Sequence, residues 1–437
     1  MTIDTNVRQL AFETLQDIIN DKAYSNIIIN EVLSNNELNR ADKGLFTELV
    51  YGTLKRKFSL DYLLKPFVQT KLKGWVRQLL WMSIYQYVYL DKIPEHAIIN
   101  EAVEIAKRKG GPHNGNVVNG ILRNIMRSDL PDFTEITDDK KRIAIEYSLP
   151  KWLVDHWSTH FGIEKTEVIA ESFLTKVATT VRVNLTRISI EDAIRRLVED
   201  DYIVEQDSEI DTCLHVSGKP IIESRMFKDG LVSIQDKSSM FVAELMGLTD
   251  GDEVLDACSA PGGKACHIAE VLNGTGHIDA TDIYEHKIDL IDFNIKKLRL
   301  SNISAFEHDA TEKYGKVYDK ILVDAPCSGL GVLRHKPEIK YEQSQQSIQS
   351  LVEIQLEILN NVKDNLKPGG TLVYSTCTIE QLENENVVYT FLKDNKDFEF
   401  DTFEHPITGE KVKTMQVLPQ DFNSDGFFIT RIRRKEN

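Results

Sequence analysis

The chain has 437 residues, 41% of them hydrophobic and 27% charged, which allows about two to four folded domains and argues against extensive disorder. It contains no run near the roughly 20 apolar residues that cross a bilayer, and its first residues do not read as a secretory signal. We therefore expect a cytoplasmic protein without a membrane partner. The formal net charge of −16 argues against nucleic acid as a partner, because phosphate contacts need Lys and Arg.

The first 127 residues carry apolar residues at helical spacing, and residues 75–90 are apolar on nearly all sides, as in a central buried helix. We therefore predict an all-α domain at residues 1–130. Lys and Arg slightly outnumber Asp and Glu there, so this region is the expected contact surface for RNA, although solvated helix faces explain the same residues. The basic residues concerned are Lys55, Arg56, Lys57, Lys71, Lys73, Arg77, Lys107, Arg108, Lys109, Arg123 and Arg127.

Residues 128–141 form an acidic stretch without helical period, and we predict a linker there because a proline interrupts it. Beyond it, strand-like alternation at 179–187 and 213–218 flanks a helical segment at 191–200. These patterns predict a small α+β domain at residues 142–230. It contains no catalytic cluster that we can identify.

From residue 231 to residue 437, strands alternate with helices, which predicts a Rossmann-like α/β domain with a parallel sheet. The predicted strands are 253–258, 277–282, 304–309, 318–326, 371–377 and 427–434, and the predicted helices are 263–272, 285–299 and 345–365. Ligands of such sheets bind beyond the carboxyl ends of the strands. Polar residues at those ends are therefore the candidates for a site.

The first predicted strand of this domain runs into a glycine turn, DACSAPGGK (256–264), whose backbone can approach an anionic group closely. Asp282, Asp309 and Asp324 end the next three strands, where acids can accept from ribose hydroxyls and an adenine amine. A helix N-cap explains each of these Asp residues equally well when it is considered alone. It does not explain why, together with Asp256, four acids end four successive strands. The turn matches neither GxGxxG nor GxxxxGK[ST], which disfavours NAD and ATP and favours S-adenosyl-L-methionine.

The five cysteines are odd in number and form no CxxC pair, so we expect neither a disulfide framework nor a metal site. Cys327 and Cys377 follow two adjacent predicted strands, which places both thiols in one cleft, whereas the other three fit the common class of small buried hydrophobes. Attack by a thiolate on carbon 6 of a cytosine makes carbon 5 reactive toward a methyl donor, and a second group must then remove the carbon 5 proton. Asp324 is the candidate reader of the flipped base. The residues alone leave either thiol as the nucleophile.

The strand-end motifs together resemble the RNA cytosine-5 methyltransferases of the Sun/Nop2 type, across residues 230–437. These motifs are DACSAPGGK, Asp282, Asp309, DAPCSGLGVLRHKP (324–337) and YSTCT (374–378). The resemblance implies that Cys377 is the nucleophile and that Cys327 assists proton removal or product release. The reverse assignment, which DNA cytosine-5 methyltransferases use, is the alternative.

The same resemblance implies a set of cofactor contacts. They are Cys258, Ser259, Ala260, Pro261, Gly262, Gly263, Lys264, Asp282, Asp309 and Asp324. Ser259 departs from the family, which usually has Ala at this position, and Cys258 and Ser259 would act mainly through their backbone. The role of Lys264 stays open between cofactor binding, catalysis and structure.

At the other end of the chain, NVVNGILRNIMR (116–127) looks like the closing helix of the RNA-binding NusB-like domain. A NusB-like bundle, a small RRM-like domain and a class I methyltransferase domain in this order imply 16S rRNA of the small ribosomal subunit, or its precursor, as substrate. Arg334, His335 and Lys336 are candidate contacts to RNA phosphates, and we expect a monomer. The alternatives are a catalytically inactive RNA-binding assembly factor and a methyltransferase of another RNA such as tRNA. A methyltransferase of proteins or small molecules leaves both cysteines unexplained.

Overall fold

The computed structural model describes residues 6–21 and 24–436. The chain folds as two compact units: the first extends to Thr175 and also holds Leu333–Glu342, and the second holds Lys176–Val332 and the chain from Gln343 onward. The predicted middle domain differs from this division, because residues 142–175 belong to the first unit. Among the described residues, no helix has the length and apolarity needed to cross a membrane.

Nine helices of the first unit precede residue 175 in the described chain. They are α1 (Val7–Asp21), α2 (Ser25–Asn35), α3 (Arg40–Lys55), α4 (Lys57–Leu64), α5 (Gly74–Tyr89), α6 (Glu95–Ile125), α7 (Asp139–Glu146), α8 (Lys151–Phe161) and α9 (Ile163–Ser172). α5 packs against α1, α3, α4 and α6 and buries every residue from Gln78 to Gln86, which confirms the predicted central helix. α6 is kinked at Gly111, whose φ of +82° favours glycine, and Pro112 begins its second part.

The predicted linker at 128–141 is wrong in its last residues, because α7 begins at Asp139. The Asp138 carboxylate accepts a hydrogen bond from the Lys141 backbone N–H at 2.9 Å and so caps this helix. An acid read as part of a polar linker is therefore the start signal of a helix.

Residues 333–342 complete the first unit through polar contacts to the ends of its helices. The Tyr341 hydroxyl donates to the Leu54 carbonyl at 2.8 Å, and the Lys340 ammonium donates to the Lys55 carbonyl at 2.8 Å, both at the C-terminal end of α3. Lys340 is buried, and burial lowers its pKa well below the ordinary value. The carbonyls that a helix end leaves without partners are thus satisfied by this segment.

The second unit begins with a small antiparallel sheet in the order β2-β3-β1-β4. Its elements are β1 (Thr179–Val183), α10 (Ile190–Glu199), β2 (Ile203–Gln206), β3 (Cys213–Ser217), α11 (Arg225–Lys228) and β4 (Val232–Ile234). Val181 and Val183 pack with Leu197 of α10 in one core, which confirms the predicted α+β character. The short strands β2 and β4 carry too little alternation to be predicted.

A larger sheet follows, in the order β10-β14-β9-β8-β5-β6-β7, with β13 paired to β14. The elements are α12 (Lys237–Leu245), β5 (Glu253–Asp256), α13 (Gly263–Val271), β6 (His277–Asp282), α14 (Glu285–Leu298), β7 (Ile303–Glu307), β8 (Tyr318–Asp324), α15 (Ile339–Glu342), α16 (Gln345–Val362), β9 (Leu366–Thr376), α17 (Glu385–Asp394), β10 (Phe398–Phe400), β11 (Phe403–Glu404), β12 (Lys411–Val412), β13 (Thr414–Val417) and β14 (Phe427–Arg434). α15 lies in the segment that belongs to the first unit.

The five strands from β9 to β7 are parallel, as the sequence predicts, which confirms the Rossmann-like character. The last predicted strand, β14, is antiparallel to β9, so the expectation of a wholly parallel sheet is wrong at this edge. β5 pairs with β6 on one side and β8 on the other, so the strand order reverses at β5. Such a reversal opens a crevice at the carboxyl ends of the strands.

Candidate active site

The predicted glycine turn lies in this crevice, between the end of β5 and the start of α13. The Ser259 N–H donates to the Thr281 carbonyl at 2.8 Å, and the Gly262 N–H donates to the Ser259 carbonyl at 2.7 Å. Gly262 has a φ of +93°, which favours glycine, and a Cβ at Gly263 would meet no atom within 4 Å. The turn therefore presents the first N–H groups of α13 to open space, where they can bind an anionic group.

Two of the predicted acids, Asp282 and Asp309, are held by hydrogen bonds near this turn. Asp282 Oδ2 accepts from the Ala260 N–H at 3.2 Å, and its Oδ1 lies 3.2 Å from the Lys287 ammonium. Asp309 Oδ1 accepts from the Thr311 N–H at 2.9 Å and from the Thr311 hydroxyl at 2.7 Å. Asp282 is thus bonded to the turn, whereas the bonds of Asp309 to Thr311 stabilise a loop and cap no helix, because the next element after β7 is the strand β8.

Asp324 forms an ion pair with Lys264 at the ends of β8 and α13. The Lys264 ammonium donates to Asp324 Oδ2 at 2.6 Å, and the Ser375 hydroxyl donates to Asp324 Oδ1 at 2.8 Å. Burial alone would lower the pKa of Lys264, but the charge of Asp324 and their hydrogen bond raise it. Lys264 therefore stays a cation, and its Nζ lies 5.3 Å from the centre of the Phe427 ring.

The structure brings the two predicted cysteines together, with 3.4 Å between the Sγ atoms of Cys327 and Cys377. The hydrogen bond to Cys377 raises the pKa of the Cys327 thiol well above its ordinary value, and burial adds to this effect. The charge of Cys377 is also among the interactions that raise the pKa of Lys264. Cys327 therefore keeps its proton next to Cys377, while the Lys264 ammonium favours a negative charge on Cys377.

Three family models match the chain: the NusB family at residues 5–127, the ferredoxin-like domain of Methyltr_RsmF/B-like proteins at 149–222, and 16S rRNA methyltransferase RsmB/F at 243–433. A probable ribosomal RNA small subunit methyltransferase B of Bacillus subtilis (strain 168) is 42% identical to it, over 99% of each chain. The chain belongs to the ribosomal RNA small subunit methyltransferase B family. A second relative, from Synechocystis sp. (strain ATCC 27184 / PCC 6803 / Kazusa), is 30% identical over 98% of this chain and 99% of its own.

Solved structures share the fold of this methyltransferase B chain. The crystal structure of PH0851 has a TM-score of 0.84 and covers 99% of this chain and 100% of its own, with 22% identity. A methyltransferase homolog protein from Pyrococcus horikoshii has a TM-score of 0.61 and 27% identity, and covers 68% of this chain and 100% of its own. The chain is thus a SAM-dependent methyltransferase of the family that acts on small-subunit ribosomal RNA.

S-adenosyl-L-methionine is the cofactor of this methyltransferase B family, and a buried acid tests whether the crevice fits it. The Asp256 carboxylate is buried, and among the described residues no donor reaches either of its oxygens in good hydrogen-bond geometry. The buried Ser259 hydroxyl and the Cys258 backbone lie close enough to lower the pKa of this carboxylate. A buried carboxylate beside the first N–H groups of α13 suits a ligand that carries both an ammonium and a carboxylate. The residues fit the cofactor.

Asp256 should also make the stability of this methyltransferase fall as pH rises. Burial, followed by the charge of Asp324, raises the pKa of Asp256 from 3.8 to about 7. Its contribution to stability is therefore fully present below about pH 4 and is lost as the pH rises through about 7. We expect Asp256→Asn to remove a decline on the order of 4 kcal/mol between about pH 4 and pH 8.

Urea unfolding at a series of pH values, without added cofactor, measures this decline. Asp289→Asn, which changes an exposed acid of α14, is the matched control and should keep the wild-type slope. If Asp256→Asn keeps the wild-type dependence of stability on pH, the buried Asp256 carboxylate is not the group that causes the decline.

A second cluster could in principle bind a metal, since ligand atoms of Asp207, Cys213 and His215 lie within 4.8 Å of one another. However, the Lys237 ammonium lies 2.7 Å from Asp207 Oδ2, and His215 Nε2 lies 2.8 Å from the same oxygen. Burial raises the pKa of Cys213 to about 12, so the thiol stays protonated. The cation already neutralises the carboxylate that a metal would need.

Sequence reasoning missed two buried charged residues of the methyltransferase unit and misjudged a third residue. Glu383 lies under the loop that follows β8 at residues 325–332, which we call the Cys327 loop. Arg182 pairs with Glu270 on α13. The hypothesis that Arg334 contacts RNA phosphate is wrong, because its side chain is buried and its Nε donates to the Ser172 carbonyl at 2.9 Å. His335 is exposed, and its proposed contact with RNA stays a prediction.

Proposed function

We propose that this methyltransferase modifies carbon 5 of a cytosine in 16S rRNA, with Cys377 as the nucleophile and Cys327 as the group that removes the carbon 5 proton. The observation that carries the proposal is the 3.4 Å separation between two thiols at adjacent strand ends, beside the cofactor turn. A methyltransferase of ring nitrogens or hydroxyls needs neither thiol, since those atoms are nucleophiles themselves. Carbon 5 of cytosine is not, and it needs covalent activation.

Cys377 starts the reaction as a thiolate and attacks carbon 6 of a cytosine that has left its stack. The S–C6 bond forms, and the electron pair of the C5–C6 double bond moves toward carbon 5, which takes up the methyl group. The Cys377 thiolate is consumed in this bond, so both its hydrogen bond to Cys327, the main cause of the raised pKa of Cys327, and its charge are lost. Cys327 can then release its proton to water and become a base.

In the second half of the reaction, the Cys327 thiolate takes the proton from carbon 5. The electron pair of that C–H bond restores the C5–C6 double bond, and the S–C6 bond breaks with its electrons on Cys377. Cys327 is again a thiol and Cys377 again a thiolate, which is the starting state. One proton has gone to water for each methyl group transferred, so the cycle balances.

The cofactor, when bound, supplies an electrophilic methyl group on a sulfonium. Residues 258–264 and the start of α13 are proposed to bind its amino-acid end, Asp282 its ribose and Asp309 its adenine. Asp324 is proposed to read the N3 and N4 edge of the cytosine. Its ion pair with Lys264 supports a position next to Cys377. An Asp324→Asn variant that folds and turns over normally would remove this role.

The NusB-like helices of the first unit are proposed to contact the rRNA. Two of the predicted basic residues, Arg123 and Arg127, line a cavity of about 260 Å³ together with His96, Asn100 and one acid, Glu95. Others are engaged within the protein, since Arg77 pairs with Asp61 at 2.6 Å. The cavity lined by Arg123 and Arg127 is thus a better candidate for a phosphate contact than Arg77 is. The monomeric state and the cytoplasmic location stay predictions.

Bisulfite sequencing of 16S rRNA tests the proposal. RNA is compared from a strain with the gene, a strain without it, and the deletion strain complemented with the wild-type or the Cys377→Ala chain. We expect one cytosine to lose its protection in the deletion strain and to regain it only with the wild-type chain. Unchanged protection at every cytosine of 16S rRNA would overturn the proposed substrate.

A further inference from the structure

Glu383 is a buried carboxylate whose partners belong to the loop that carries Cys327. Its side chain has no exposed surface, although the polar run around it predicts a solvated loop. Glu383 Oε2 accepts from the Ser328 backbone N–H at 2.8 Å and from Gln355 Nε2 at 3.1 Å. Glu383 Oε1 accepts a short hydrogen bond from the Ser328 hydroxyl. Both carboxylate oxygens therefore accept hydrogen bonds, which come from the Cys327 loop and from α16.

These contacts hold Cys327 from both sides along the chain. Ser328 directly follows Cys327, and the Gln355 amide that donates to Glu383 also donates to the carbonyl of Pro326, which directly precedes it, at 2.9 Å. Both peptide neighbours of the thiol are thus connected to one carboxylate.

The same network reaches the residue after the second thiol. The Ser328 hydroxyl lies 2.9 Å from the Thr378 hydroxyl, and Thr378 directly follows Cys377. The Cys377 carbonyl in turn accepts from the Gly331 N–H at 3.0 Å, within the Cys327 loop. Hydrogen bonds that begin at Glu383 therefore reach residues next to both sulfur atoms, and the Gly331 bond adds a second connection between the two segments.

Holding the Cys327 loop with a buried carboxylate costs free energy, because burial disfavours the charged form. Burial raises the pKa of Glu383 to about 7 and the charge of Glu380 acts in the same direction, while the bonds from Ser328 and Gln355 lower it. The charge of Glu383 also contributes to the raised pKa of Cys327. Burial raises the pKa of Tyr374, and the charges of Cys327 and Glu383 add to this effect. The ionised form is the one that can accept from three donors at once.

We propose that Glu383 is a positioning residue for the second half of the reaction: it holds Cys327 against Cys377 so that Cys327 can take the proton from carbon 5. This inference rests on the proposed function. It assigns no contact with RNA or cofactor to Glu383. Cys377 directly follows the last residue of β9, so the sheet fixes its position even where the Cys327 loop shifts. Cys327 lies in the loop itself, so proton removal depends on the contacts of Glu383 more than the attack on carbon 6 does.

Glu383→Gln tests this role, with an unmodified 16S rRNA transcript and S-adenosyl-L-methionine as the probes. The amide keeps the size of the side chain but places a donor toward Ser328 or Gln355, which are donors themselves. We expect the rate of covalent complex formation to stay within about twofold of wild type, as the Cys377 step is untouched. Multiple turnover should fall at least about tenfold, and the covalent protein–RNA complex should accumulate on a denaturing gel.

Three further variants make the result decisive. Glu380→Gln changes another buried acid of the same loop and should not accumulate the complex. Ser328→Ala removes one hydroxyl contact but keeps the backbone donor, and should accumulate a smaller amount; it also serves if Glu383→Gln does not fold. Cys327→Ala gives the full accumulation that Glu383→Gln approaches.

The outcomes separate the two proposals. If formation and turnover fall by the same factor in Glu383→Gln and Ser328→Ala, the residue has only a structural role and the inference is wrong. The inference is also wrong if the complex does not accumulate in Glu383→Gln while it does in Cys327→Ala. If Cys327→Ala itself accumulates none, the proposed function is wrong, and the inference falls with it.

Discussion

Replacing Cys377 by Ala is expected to lower methylation of a 16S rRNA transcript by at least about a thousandfold and to abolish the covalent protein–RNA complex. Without this thiol, carbon 6 receives no nucleophile and carbon 5 stays unreactive. Cys327 lies 3.4 Å away in the wild-type chain; in the variant its bond to Cys377 is absent, but burial still raises its pKa. It is therefore a poor substitute for the lost thiolate.

Cys327→Ala is the matched control for this result, since it removes the other thiol of the pair. We expect the covalent complex to form and to persist, as the carbon 5 proton has no base. Transfer of a labelled methyl group into RNA, and a denaturing gel with and without reducing agent, follow both quantities. A covalent complex in Cys377→Ala, together with none in Cys327→Ala, would reverse the roles of the two cysteines.

Replacing Arg182 by Ala is expected to destabilise the second unit by about 3–5 kcal/mol, because a buried ion pair loses one partner. Arg182 is only 1% exposed, and its guanidinium donates to both carboxylate oxygens of Glu270 at 2.7 and 2.8 Å. It also donates to the Gly263 carbonyl at 3.1 Å and to the Gln235 side chain. Removal leaves the Glu270 charge buried without its counter-ion near the C-terminal end of α13.

Urea unfolding measures this loss, and two variants frame it. Arg195→Ala breaks an exposed ion-pair network on α10 and should change stability little. The double variant Arg182→Leu with Glu270→Leu removes both buried charges, and should be more stable than Arg182→Ala. A loss in Arg182→Ala no larger than that in Arg195→Ala would show that the Arg182 pair contributes no more than a surface pair.

Much of the second unit could be predicted because its signals are local. β6, β14 and α13 follow from apolar runs and a glycine turn, and the rule that parallel strands end at one edge predicted that Cys327 and Cys377 lie together. The neighbours of these thiols are not local. A glutamate in a polar run predicts an exposed loop, and only the fold shows that Glu383 is buried under Ser328.

The same limit explains Arg182 and Arg334. A lone arginine in a strand, or one after a catalytic loop, is interpreted as exposed because charged side chains are seldom buried without a partner. Their partners are Glu270, 88 residues away along the chain, and the Ser172 carbonyl, 162 residues away. No pattern within a window of the sequence connects such pairs.

The segment at 333–342 has a consequence for how the protein is made. The Leu54 and Lys55 carbonyls at the end of α3 accept from Tyr341 and Lys340, and the Ser172 carbonyl at the end of α9 accepts from Arg334 in addition to Thr175. During translation these donors leave the ribosome only after residues 176–332 have been synthesised. The N-terminal unit therefore lacks these contacts until the cofactor turn and Cys327 have been synthesised. An expression clone that stops at residue 175 would encode the unit without residues 333–342.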